Sequence, residues 1–120
     1  MKKPIKLTTH RNHTAYLYPL PRNPLIEVVR DSDDVIVKEY RLKSHDNDFC
    51  LCSMSGVELF RSSELEVISK FAIDYIFDKF LSHCNKWLSM LNDGHTVKSI
   101  AELEGLPEKK VLSLIKQWTN

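Results

Sequence analysis

Apolar and polar positions alternate in short stretches through residues 14–61, and the period changes at Ser62. Residues 14–18, Thr-Ala-Tyr-Leu-Tyr, are short and aromatic, and the loop after them carries Pro19, Pro21 and Pro24, which exclude a helix there. Residues 25–30 are rich in β-branched side chains, and Asp31-Ser32-Asp33-Asp34 is a turn by composition. From Val35 the alternation resumes, with Val35, Val37 and Glu39 on one face and Ile36, Lys38 and Tyr40 on the other. A polar turn over 44–48 leads to 49–54 and 57–61, which flank a tight turn at Ser55-Gly56. The pattern over 14–61 predicts an antiparallel meander of four or five short strands.

Beyond Ser62 the apolar residues follow helical spacing: Leu65, Ile68, Phe71, Ala72, Tyr75, Ile76, Phe80, Leu81, Cys84, Trp87, Leu88 and Leu91. With Ser62 or Ser63 as a cap and Asn92-Asp93-Gly94 as a stop, the stripe predicts one long central helix over 62–93. Around 71–77 it is apolar on several sides, which predicts a face shared with a second copy through Phe71, Ile73, Ile76 and Phe77. Residues 95–120 hold two shorter helices, the first capped by Thr96 and ended by Gly105, the second opened by Pro107 and stacked on Val111, Leu114, Ile115 and Trp118.

The segment 96–115 resembles the helix-turn-helix superfamily, in particular the terminal unit of sigma factors and of many small bacterial or phage regulators. Ala101 is the small residue where two steeply crossing helices touch, and Gly105 four residues later supplies the positive φ of the turn. One position departs from the family's habit: the residue before the turn glycine is Glu104 rather than an apolar one. The resemblance covers residues 96–118 and none of 1–61. It implies that the helix from Pro107 is a recognition helix lying in the major groove. Glu108, Lys109, Ser113, Lys116 and Gln117 then face DNA, with Lys98 and Ser99 of the preceding helix near phosphates.

Charge neither demands nor excludes such a partner, since 17 Lys and Arg stand against 16 Asp and Glu. Locally, residues 1–13 carry Lys2, Lys3, Lys6 and Arg11 and no acid, and read as a basic N-terminal arm. No apolar run reaches the roughly 18 residues of a membrane span. No signal-like apolar stretch follows the basic start, so a cytoplasmic location with reduced cysteines is expected.

Cys50 and Cys52, two apart on a strand, share a face, and with His45, His10 or His13 they raise a zinc reading. A zinc site usually shows two spaced ligand pairs, so buried structural cysteines are the better expectation. The Asp31/Asp33/Asp34 and Asp46/Asp48 clusters are explained by turn chemistry. His83 and Cys84 are adjacent on a helix and point apart. No metal, cofactor, catalytic residue or enzyme activity is expected.

The expected fold class is α+β: a small antiparallel β-meander followed by a long central helix and a C-terminal helix-turn-helix. The expected organisation is an arm over 1–13, a sheet over 14–61, a dimerisation helix over 62–93 and the helix-turn-helix over 95–120. The expected function is sequence-specific binding of double-stranded DNA by a homodimer, as a small bacterial or mobile-element transcription regulator. Two alternatives use the same parts. The helices can dock a protein, as in an anti-defence factor. Alternatively, Tyr16, Tyr18, Tyr40 and Phe49 can stack single-stranded nucleic acid on the sheet.

Overall fold

The computed structural model describes residues 3–22 and 24–119, with His45 described by its backbone alone. Met1, Lys2, Asn23 and Asn120 lie outside the described residues, so the tip of the expected basic arm, with Lys2, is outside them too. The chain divides into two compact units, Met1–Lys79 and Phe80–Asn120. The class is α+β, a sheet followed by short helices.

The N-terminal unit is a six-stranded antiparallel meander in the order β1-β2-β3-β4-β5-β6, with one helix. The strands are β1 Ile5–His10, β2 His13–Tyr18, β3 Leu25–Arg30, β4 Val35–His45, β5 Asp48–Cys52 and β6 Glu58–Ser62. The strand beyond the expected four or five is β1, which takes six residues of the expected basic arm over 1–13. A two-residue turn makes this possible. Arg11 and Asn12 adopt φ values of 53° and 62°, and positive φ at both central residues matches the twist of a tight hairpin. Asn accepts this conformation readily, and Arg11 is held in it by contacts described below.

Helix α1, Leu65–Asp74, packs on the inner face of the sheet and touches both edge strands, β1 and β6, so the sheet curves around it. Register shifts at Lys6/Thr8, Val28/Val29 and Leu51/Cys52 accompany that curvature. The core joins Ala15, Ile26, Val28, Tyr40, Leu51 and Phe60 to Ile68, Phe71, Ala72 and Ile73. Phe60 stacks on Phe71 at 4.5 Å between ring centres. The buried Tyr40 hydroxyl donates 2.6 Å to the carbonyl of Ala72, and burial pushes its phenol well above the ordinary range. The shift in β3–β4 also changes which β4 side chains share a face. Val28 pairs with Lys38 and Val29 with Ile36, leaving Val37 as the extra residue, so Ile36 does not share the face of Tyr40 and is exposed.

The long central helix expected over 62–93 does not exist. Ser62 closes β6, and Glu64 rather than a serine side chain stands at the start of α1. After Asp74 the chain tightens: the Ile76 N–H donates to Ile73 O and the Phe77 N–H to Asp74 O, both three residues back. A 3₁₀ turn follows over Lys79–His83, and then α2, Cys84–Asn92. The break has a local cause and a tertiary one. Residues 73–78, Ile-Asp-Tyr-Ile-Phe-Asp, are all weak helix formers. The Asp74 carboxylate is tied to the β1–β2 turn, accepting from His10 Nε2 at 2.8 Å and Arg11 Nη1 at 3.0 Å.

The C-terminal unit adds α3, Val97–Glu104, and α4, Glu108–Thr119, to α2. Its core is Leu81, Cys84, Trp87, Ile100, Ala101, Val111, Leu114, Ile115 and Trp118. Trp87 is fully buried, stacked parallel to the His83 ring at 5.7 Å and 5.2 Å from Trp118.

Candidate nucleic-acid interface

Local chemistry sets the two terminal helices. The Thr96 side chain accepts from the Ser99 N–H at 3.1 Å, capping α3. Gly105 takes φ 69° and ends α3, and the Leu106 N–H then donates to Ala101 O at 3.0 Å, satisfying a terminal carbonyl. Pro107 stands just before α4 rather than inside it, and its carbonyl accepts from the Lys110 and Val111 N–H groups. Ala101 is buried between α3 and its neighbours, the small residue the crossing needs.

α4 has a clear inside and outside. Val111, Leu114, Ile115 and Trp118 are buried. Glu108, Lys109, Ser113 and Lys116 are exposed, and Gln117 is half-buried at the margin. Lys109 and Lys116, seven residues apart, lie on one line, roughly 10 Å apart along the axis. Lys110 is spent elsewhere, with its ammonium 5.4 Å from the centre of the Phe80 ring. On α3, Lys98 is exposed, but Glu102 is exposed too, so the outer side of α3 is close to neutral. Ser99 is half-buried and already occupied by the cap, its hydroxyl 3.3 Å from His95 Nδ1. The excess of positive charge therefore sits on α4.

Glu104, the departure before the turn glycine, is accommodated by a partner. Lys86 on α2 donates to its carboxylate at 2.9 Å, and this bond holds the Glu104 carboxyl below its ordinary range. The pair ties α2 to the end of α3. Leu103 does not take over the apolar position that Glu104 leaves, since it is 68% exposed, and on α4 Leu112 is 42% exposed. Leu112 lies on the margin of the Lys109–Lys116 face and was legible as the one α4 leucine off the buried stripe.

The other expected sites fare differently. Of the four residues expected at a dimer face, Phe71 and Ile73 are buried in the N-terminal core, because the curved sheet covers both sides of α1. Ile76 and Phe77 do reach the surface, Phe77 beneath the Arg11 guanidinium at 4.5 Å and against His13. The four-aromatic stacking platform is not assembled. Tyr16 and Tyr18 pair with Glu27 and Leu25 on the outer face, whereas Tyr40 pairs with Ile26 and points inward, and Phe49 lies on the Tyr40 side through Leu42 and Leu51. Cys50, Cys52 and Cys84 are free and buried, and burial raises the Cys52 and Cys84 thiols above their ordinary range. In the first acidic cluster, Asp31 accepts from Thr14 at 2.7 Å, and Asp33 accepts from Arg30 at 3.0 Å. Among the described residues no three His, Cys, Asp or Glu side chains are grouped as metal ligands would be. No described helix is long and apolar enough to cross a membrane.

Comparison with protein families, curated proteins and solved structures finds no match for this chain.

Proposed function

We propose that the C-terminal unit is a helix-turn-helix that binds duplex DNA sequence-specifically, with α4 in the major groove, and that the protein is a small bacterial or mobile-element transcription regulator. The observation that carries this reading is the outer face of α4. Lys109, Ser113 and Lys116 project together from a helix whose opposite side is fully buried, after a left-handed glycine turn. Lysine ammonium groups on such a face bond phosphates and base acceptors, and Ser113 can donate or accept at a base edge. Leu112 beside them suits a thymine methyl.

A homodimer belongs to the same reading, because one such unit spans only a few base pairs and two read a two-fold site. Of the residues first considered for it, Ile76 and Phe77 are those with surface to offer.

The test is selection of bound duplexes from random DNA, followed by titration with salt. Lys109→Ala with Lys116→Ala is expected to weaken the selected duplex and to reduce the salt slope by about one unit per lysine. Unchanged affinity in that double variant removes α4 from the interface. The exposed Leu103 and Leu112 favour a second reading, docking of another protein by the same two helices. Failure to enrich any duplex, with Leu103→Ala and Leu112→Ala abolishing capture of a protein partner, would favour it.

A further inference from the structure

Where β4 runs past its pairing with the start of β3, a cleft of about 490 Å³ lies between the β2–β3 loop and β4, lined by Pro21, Arg22, Pro24, Arg41, Leu42, Lys43 and Ser44. We infer that this cleft is a binding site for a small ligand carrying a phosphate group, of nucleotide size or less, held by Arg22, Arg41 and Lys43. It is independent of the DNA reading of α4.

The charge comes from register. Arg41 and Lys43 are two apart on β4 and share its outer face, opposite Cys52 and Cys50. Arg22 enters from the loop. The lining contains three cations and no carboxylate. Among the described residues none of these cations has an ion-pair partner, in contrast to Arg30, Arg61 and Lys86, which are paired with Asp33, Glu58 and Glu104. The nearest acids on this face are accounted for. Glu58, across Cys52 from Arg41, is held by Arg61, and Glu27, two residues further along and facing Glu39, is bonded by the Tyr18 hydroxyl.

Arg41 adds a second sign. Its Nε is buried and has no hydrogen-bond partner among the described residues. A buried donor left unmade is costly, and an anionic oxygen in the cleft would take it up. A guanidinium is also the group that matches phosphate geometry, with Lys43 as a point charge beside it.

The end of the loop is tied to β4. Prolines at 19, 21 and 24 restrict the loop, and the Leu42 N–H donates to Pro24 O at 3.0 Å, fastening the loop to β4. The proline rings give an apolar wall. The volume lies in the range of small-molecule sites, about 300–1,000 Å³, and a walled cleft of that size suits a discrete ligand better than a continuous strand.

The experiment is titration of the full chain with sodium pyrophosphate and with ADP, followed by backbone amide resonances. The expected result is saturable shifts at Arg22 and at Arg41–Ser44 with both probes. Arg41→Gln and Lys43→Gln, each checked for a native-like spectrum, should weaken binding by at least about tenfold, as loss of a charged hydrogen bond does. Lys109→Ala with Lys116→Ala should leave it unchanged. Absence of cleft shifts at millimolar probe, shifts confined to α4, or equal affinity in both Gln variants would overturn the assignment. So would displacement of pyrophosphate from the cleft by a short duplex, which would make it a backbone contact for DNA.

Discussion

The Asp74 side chain is only 4% exposed, and its two partners arrive from more than sixty residues earlier in the chain. His10 and Arg11 sit at the β1–β2 turn, so a single carboxylate locks that hairpin to the end of α1. His10→Ala combined with Arg11→Ala leaves the carboxylate unpaired. Because the lost partners are themselves partly solvated, the expected cost is about 2 kcal/mol rather than the full penalty of a dry buried pair. Chemical denaturation measures it; a cost no larger than that of removing the exposed Asp33 partner Arg30 would show that Asp74 is solvated. The Lys86–Glu104 pair is a weaker case, with Lys86 62% exposed. Lys86→Met should cost no more than about 0.5 kcal/mol at neutral pH. The pair lowers the folded carboxyl value, so its contribution is present above the unfolded value and is lost as pH falls through the folded one. Below that range wild type and variant should melt together.

At the scale of elements, the apolar spacing from Leu65 to Leu91 does not make one helix: it runs through α1, a turn that holds Tyr75 and Ile76, a 3₁₀ turn that holds Phe80 and Leu81, and α2. Spacing of apolar residues reports which side of a turn is buried, and two short helices in different units can keep the same spacing by coincidence. The low helix propensity of 73–78 was present in the residues but carries less weight than periodicity. The break relocates the effect of substitutions. Ile73→Asp places a charge in a fully buried position and is expected to cost about 4 kcal/mol or more, unfolding the N-terminal unit. Phe77→Asp, at a position 47% exposed, is expected to cost about 1 kcal/mol, mostly the contact with Arg11. Similar melting curves for the two would contradict the curved sheet around α1. In the C-terminal unit, Gly105→Ala meets no steric obstacle but must hold φ 69°, and is expected to lower stability by about 1 kcal/mol.

For the whole molecule, the sheet curves around α1 and touches it with both edge strands, so Phe71 and Ile73 are buried without a second copy. Any pairing in solution has to use other surface. Light scattering at micromolar concentration, with and without a selected duplex, reads this directly. Under the proposed function the free chain and the complex should differ by a second copy on a two-fold site, and Phe77→Asp should reduce occupancy of full sites more than of half-sites.

The residues alone determined the strands from Thr14 to Arg61, the proline loop, the Thr96 cap, the Gly105 turn and the buried stripe of α4. Each of these depends on neighbours within a few positions: alternation, a φ restriction, a side chain reaching its own backbone. Only the tertiary structure decided the rest. β1 became a strand because β2 offered an edge and Asp74 held its turn. The central helix ended because its carboxylate was claimed from the far end of the chain. The bulge at Val37 moved Ile36 off the Tyr40 face, and Arg22 came to stand with Arg41 and Lys43 because a loop was fastened to β4. These are pairings across tens of residues, and no periodicity encodes which partner a buried charge or an open strand edge will find.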